Sequence, residues 1–263
     1  MLKSRSLTIL GLFFIAVSCK FNVSPYTSDA PKLALNDLNV RTIQALEAET
    51  PAEFKIALIS DTHNYYKELE KQIDVINSSS YAFVIVAGDI TNLGLLEEFN
   101  VARNYLNGLR IPYLVAVGNH DLISNGRKIY NRLFGSDTFH FVFHDVHFII
   151  FNNNNWESPG LVPDMEWVEQ VLSESDPSHK RVLIAHVSPE DTDRFTSEEI
   201  RRWEDLMVRY NVDYFFNGHD HNPYEKPFGN GIKVTIGAPS KKVFYELSVT
   251  SGAGGISHQK ISF

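Results

Sequence analysis

A single cysteine, Cys19, stands in a chain of 263 residues, so no internal disulfide can form. Basic residues are also scarce: 24 lysines and arginines face 32 acids, a formal net charge of −8. Diffuse acidity of that size argues against a protein that tracks long nucleic acid, whose phosphates demand a basic footprint. It does not argue against a small phosphate-bearing ligand, because bound cations can reverse a local field. After Val17 no apolar run approaches the roughly 20 residues that cross a bilayer. There is no internal repeat and no marked second domain boundary. What is present is an ordinary globular composition, 43% hydrophobic, with ample material for a sizeable core.

The N-terminus reads differently from the rest. Lys3 and Arg5 make a basic start, Leu7 to Val17 is almost entirely apolar, and small residues follow. That is the pattern of a secretory signal too short to span a membrane. Ala16-Val17-Ser18-Cys19 resembles a bacterial lipobox, whose cysteine becomes the lipidated first residue after cleavage. The alternative is a plain signal peptide with an incidental cysteine. Residues 20 to 35 hold Asn, Ser, Pro, Thr and Asp without periodicity and read as a tether. The expected organisation is a signal peptide over 1–18, a lipidated Cys19 with its tether over 19–35, and a folded domain over 36–263. Such a protein is exported and held at a bacterial membrane by its lipid.

Beyond the tether, a short helix is expected around Asn36 to Glu47. Apolar runs at Phe54 to Ile59, Val84 to Ala87, Tyr113 to Val117, Val182 to Ala185 and Tyr214 to Phe216 suit strands buried on both faces. Between them, Tyr65 to Ile76, Leu95 to Leu109, Met165 to Leu172 and Ser197 to Arg209 carry apolar residues at helical spacing. Alternating strands and helices predict an α/β fold with a largely parallel central sheet. Thr138 to Phe143 and Val146 to Phe151 flank His144-Asp145 as a hairpin. Lys233 to Ile236, Lys242 to Val249 and Ile256 to Phe263 read as further strands.

Each of the five apolar runs ends in polar residues of one chemical kind. Ser60-Asp61-Thr62-His63 follows the first, Gly88-Asp89-Ile90-Thr91-Asn92 the second, and Gly118-Asn119-His120-Asp121 the third. His186 follows the fourth, and Gly218-His219-Asp220-His221 the fifth. Ligands in open α/β sheets bind beyond the carboxyl ends of strands, so these residues are expected at one edge. Of ten histidines, five fall in these blocks, which is far from an even scatter. Asp61 and His63 are two apart and on an extended segment project to one side, where they can reach one metal together. Gly88 and Gly118 are expected to let the backbone approach closely. Carboxylate, amide and imidazole donors without thiolate suit Mn, Fe or Zn at a reactive centre better than a structural zinc.

Five blocks in this order, D-x-H, G-D-x-x-N, G-N-H-D, a lone His and G-H-x-H, resemble the calcineurin-like metallophosphoesterase family. The resemblance implies a four-layer α/β/β/α sandwich, two mixed sheets flanked by helices. It implies that Asp61, His63 and His221 bind one metal and Asn119, His186 and His219 the other, with Asp89 bridging. His120 would face the scissile phosphate and Asp121 would accept a hydrogen bond from its ring. The implied activity is hydrolysis of a small phosphate ester by a bridging hydroxide, assisted by His120. A surface lipoprotein that keeps the metals only for binding is the competing reading. Asn92 stands where purple acid phosphatases carry a tyrosine ligand, and Asp121 where protein phosphatases carry Glu. Both departures point toward compact phosphodiesterases and small phosphatases.

Other polar residues carry blander expectations. Asp220 reads as turn-stabilising, Asn92 as an Asx turn or a prop for Asn119 or His120, and Asn152 to Asn155 as a polar loop. His140, His144 and His147 need no catalytic role, and Trp156, Trp167 and Trp203 are expected to pack on the core or cover a loop.

Overall fold

The computed structural model describes residues 24–252 and 254–263; the signal peptide and Cys19 lie outside the described residues. Its elements run in the order α1 (Leu35–Leu46), β1 (Glu53–Ile59), α2 (Tyr66–Asn77), β2 (Val84–Val86), α3 (Leu96–Leu106) and β3 (Tyr113–Val115). There follow α4 (Gly126–Leu133), the hairpin β4 (Phe139–Phe143) and β5 (Val146–Ile150), α5 (Met165–Glu174), β6 (Lys180–Ile184), α6 (Ser197–Arg209) and β7 (Tyr214–Asn217). The chain closes with β8 (Tyr224–Phe228), β9 (Gly231–Thr235), β10 (Val243–Thr250) and β11 (Ile256–Ser262).

The strands divide between two mixed sheets. The first has the order β11-β10-β1-β2-β3, with β1, β2 and β3 parallel and β10 and β11 antiparallel at one side. The second has the order β4-β5-β6-β7-β9-β8, where β5, β6, β7 and β9 are parallel and β4 and β8 are antiparallel edges. Strand–helix alternation alone pointed to one central sheet. It cannot tell one parallel sheet from two, because each parallel set uses the same local pattern.

Period-two alternation explains why the runs look uniformly apolar. Along β1, Ile56 and Leu58 face a core between the sheets, whereas Ala57 and Ile59 face a second core under α2, α3 and α4. Phe83, Ile85, Phe141, Phe148 and Phe216 join the inter-sheet core, and rings of Phe83 and Phe148 meet edge-on at 5.5 Å. The outer face of the second sheet, with Ile149, Leu183 and Phe215, packs on Val168 and Leu172 of α5 and on Trp203 and Leu206 of α6. The result is the four-layer sandwich of helices, sheet, sheet and helices.

The helices follow their apolar spacing and their caps. Leu69, Ile73 and Ile76 line one face of α2. At the start of α6 the Thr196 hydroxyl accepts from Glu199 N at 3.2 Å while Thr196 N donates to the Glu199 carboxylate at 2.8 Å. Two elements escaped the sequence reading, α4 and β8. The latter reads Tyr-Glu-Lys-Pro-Phe, almost wholly exposed, and Pro227 is tolerated because β8 is an edge. Of the segment expected to be a tether, Ala30 is buried and Leu33 N donates to Arg132 O at 2.8 Å, so its last residues lie against α4.

Phe216 is fully buried in the inter-sheet core. Phe216→Ala should lower unfolding stability by about 3–5 kcal/mol, read from a urea denaturation curve with unchanged slope. A loss under about 1 kcal/mol would show that the two sheets do not close on this side chain.

Candidate metal centre

The carboxyl ends of both parallel sets open on one edge. Asp61 and His63 follow β1, Asp89 follows β2 and Asn119 follows β3, all from the first sheet; His186 follows β6, and His219 and His221 follow β7, from the second. The seven candidate ligands therefore come together across the seam between sheets. His186 Nε2 lies 3.1 Å from Asp89 Oδ2 and 3.1 Å from Asn119 Oδ1. Asn119 Oδ1 is also 3.0 Å from His219 Nδ1. On the other side His63 Nε2 is 3.3 Å from His221 Nε2 and 3.5 Å from Asp89 Oδ2, and His221 Nε2 is 3.6 Å from Asp61 Oδ1. Two groups emerge, Asp61–His63–His221 and Asp89–His186–His219.

In His63 and His186 the second ring nitrogen explains why Nε2 faces inward. His63 Nδ1 donates to Thr91 O at 3.0 Å, and His186 Nδ1 donates to Ala87 O at 2.8 Å. Each bond fixes the ring orientation and turns Nε2 toward the cluster. These backbone carbonyls are functional parts that sequence cannot show, since any residue supplies one.

Backbone geometry at the ligands is unusual. Asp61, His63, Asp89, His219 and His221 have φ of 52°, 36°, 56°, 71° and 57°, the left-handed region that side chains seldom adopt. Such positions cost of order 1–3 kcal/mol each and cluster where surrounding structure forces them for function. The glycines allow the crowding. A Cβ at Gly118 would stand 2.1 Å from Asp89 Oδ1, and one at Gly88, itself at φ 87°, would stand 2.6 Å from His186 Nδ1. The close approach is thus between the blocks themselves.

Asp121 holds the Asp89 turn rather than the His120 ring. Its Oδ2 accepts from Asp89 N and Gly118 N at 2.9 Å each, and its Oδ1 accepts from Thr91 N at 2.9 Å and Thr91 Oγ1 at 2.8 Å. His120 Nδ1 donates instead to Asn92 O at 2.7 Å, and His120 N donates to Asp89 Oδ1 at 2.9 Å. The expected Asp121–His120 ring bond is therefore replaced by a backbone contact, and the Asn92 position matters through its carbonyl. His120 lines a cavity of about 150 Å³ with His63, His221, Asn64, Tyr65 and Asn92.

Charge and burial decide what the centre can hold. Asp61 and Asp89 are 0% and 1% exposed, and among the described residues their ion-pair partners are histidines only. Burial pushes Asp61 up to about 6. Burial would raise Asp89 too, but the neighbouring His186 and His63 outweigh it and hold the carboxyl at about 2. Burial lowers His63, and lowers His219 to about 4, which keeps both imidazoles neutral and able to ligate. Burial opposes the charge on His186, yet Asp89 and Asp61 raise it to about 10. A positive charge is favoured between these groups, and two carboxylates with imidazole and amide donors fit divalent cations.

The remaining polar residues sort plainly. Asn153 bonds to both main-chain groups of Val187 and Asn154 to Val117 O, so these buried amides brace the strand ends and do not face a substrate. His147 bonds to His140 and Ser175, and His144 stacks on Phe54, all outside the metal cluster. Trp203 is buried, whereas Trp156 is 60% exposed over the Arg194 guanidinium. Asp191, which no motif flagged, places Oδ2 3.8 Å from His219 Nε2.

Comparison with known proteins agrees with this geometry. Residues 54–223 match the sequence profile of the calcineurin-like phosphoesterases. A probable cyclic nucleotide phosphodiesterase of Rhodopseudomonas palustris is 28% identical over 54% of this chain and 57% of its own length. A glycerophosphodiester phosphodiesterase of Enterobacter lignolyticus is 28% identical over 62% of this chain and 64% of its own. The chain thus spans less than two thirds of either relative. A dimetal phosphatase from Danio rerio shares the fold with a TM-score of 0.61 at 14% identity, covering 80% of this chain and 99% of that one. The GAP50 anchor of the Plasmodium inner membrane complex does so at 0.63 and 14%, covering 80% and 84%.

Asp121→Asn should destabilise the protein by about 1–3 kcal/mol, because an amide nitrogen cannot accept from the donors now shared by two carboxylate oxygens. Metal content measured by elemental analysis should fall with it. A variant of native stability and full metal content that loses only turnover would return Asp121 to the role of orienting His120.

Proposed function

This chain belongs to the calcineurin-like phosphoesterase family, and from that premise we propose that it hydrolyses small phosphodiesters at a centre of two divalent cations, Mn, Fe or Zn. The observation that carries the reading is the pair of almost fully buried carboxylates, Asp61 and Asp89, ringed by imidazole and amide donors and by no permanent cation among the described residues. Asp61, His63 and His221 would hold one ion and Asn119, His186 and His219 the other. Asp89 Oδ2, between His63 Nε2 at 3.5 Å and His186 Nε2 at 3.1 Å, would serve both. When bound, the cations supply an activated water and neutralise charge on the phosphoryl oxygens.

The chain's own residues do the rest. His63, His120 and His221 line the small cavity in which the ester sits. His120 is fixed through Nδ1 to Asn92 O, so its other nitrogen is turned to the cavity, where the imidazolium form would give its Nε2 proton to the leaving alcohol oxygen. Asp61, Asp89 and His186 are shut off from solvent, while His219 and His221 stay partly exposed. Diesters are preferred over monoesters on the strength of the two relatives, both named as phosphodiesterases. The N-terminal pattern supports an exported enzyme tethered by lipid at Cys19.

With Mn²⁺ the protein should hydrolyse bis-p-nitrophenyl phosphate faster than p-nitrophenyl phosphate, and EDTA should abolish both activities. No hydrolysis across a broad ester panel with both metals bound would favour a binding protein that keeps the fold. His120→Ala should retain its metals yet lose about 10²–10⁴-fold in kcat. Turnover at the wild-type rate would remove His120 from the reaction.

A further inference from the structure

A cavity of about 630 Å³ opens where the segment entering α1 runs along α4, from Tyr26 at Asn125 to Leu33 at Arg132. Lys32, Arg127, Lys128 and Arg132 line it with Ser124 and Asn125, and no carboxylate is among the lining residues. Four cations around one opening make a strong local excess on a chain of formal charge −8. Arg132 bonds to the Ala30 carbonyl, and Arg127 bonds to the Ser158 hydroxyl and approaches Asp137 at 3.9 Å. Lys32 and Lys128 are exposed and form no ion pair among the described residues.

Two further observations give this face a direction. The first turn of α4 carries Arg127 and Lys128 with no acid and no side-chain cap, although a helix start favours negative charge. Cations stacked on a positive helix end repel one another until an anion arrives. Beside them, Tyr26 and Ile123 are 62% and 37% exposed, and Tyr26 is held there by Asn125 Nδ2, which donates to its carbonyl at 2.7 Å.

We propose that this face docks on a bilayer containing anionic phospholipids and so fixes the orientation of the protein on its membrane. The inference rests on the tether at Cys19 proposed above. Lys32 follows Cys19 by thirteen positions, a span of at most about 45 Å, so the face cannot stray far from a bilayer that holds the lipid. Lysine and arginine near an anionic leaflet are drawn to it, and exposed aromatic rings settle at headgroup depth. Tyr26 and Ile123 favour a bilayer over a soluble phosphate, which offers an apolar rim nothing. The acidic remainder of the surface is repelled, which turns the basic face inward.

The full-length protein, exported and processed, is placed in phosphatidylcholine nanodiscs with and without phosphatidylglycerol, and amide hydrogen exchange is followed. Residues 24–34 and 124–133 should gain protection in the anionic discs alone, and high salt should remove it. K32E/K128E should weaken this preference by at least about tenfold while hydrolysing bis-p-nitrophenyl phosphate at the wild-type rate. The mass of the mature N-terminus reports the anchor separately. If Cys19 carries no lipid, co-sedimentation of the same chain with phosphatidylglycerol vesicles tests the face without it. Equal exchange in both discs, undiminished protection in the double variant, or equal protection by inorganic phosphate alone would overturn the proposal.

Discussion

Two carboxylates with almost no exposure sit side by side at the seam of two sheets, and the surroundings are arranged to make that tolerable. Asp61 and Asp89 repel one another, and burial deprives them of water. Unpaired, such groups would cost several kcal/mol each. Imidazoles from the second sheet approach to share the charge, and His186 reaches Asp89 at 3.1 Å. Asp121 then ties down the turn that presents Asp89 through three backbone N–H groups and one hydroxyl. Left-handed backbone at five ligands is the local cost, borne by a scaffold with three apolar cores.

The same demand shapes the architecture. A single parallel sheet would present its strand ends in a line; two sheets facing each other present them as opposing rows. Asp61, Asp89 and Asn119 form one row and His186, His219 and His221 the other. Glycine is required where rows of backbone nearly touch, as at Gly118 against Asp89. A methyl group there would collide with the Asp89 backbone and carboxylate and push the two blocks apart.

Much of this was legible in the sequence. Strand runs that end in Asp, Asn or His declare both the fold class and the ligands, because burial on two faces leaves only the strand end free for polar chemistry. The division into two sheets was not legible from alternation and needed the family resemblance. Nor was the partner of His120: the ring bonds to the Asn92 carbonyl, and a backbone acceptor leaves no trace in residue identity. The family resemblance makes Asp121 the partner of that ring, but adjacent side chains in a tight turn diverge, and its carboxylate turns to the Asp89 loop instead. Helix α4 does set Ile129, Tyr130 and Leu133 on one buried face, but its eight residues make only about two turns, too short for the period to stand out.

The ligands come from both sheets, which has a consequence for the lifetime of the protein. A cation bound across the seam would act as a rivet between halves that otherwise share an apolar filling and a few hydrogen bonds, such as His186 to Ala87 O and His258 to Tyr214. Any ion that binds the folded state and not the unfolded chain adds RT ln(1 + [L]/Kd), about 2.7 kcal/mol at a hundredfold excess over Kd. Scarcity of metal would then loosen the two halves as well as silence the centre. Proteases would meet the metal-starved form as a softer target, and the supply of cations would set how much protein persists.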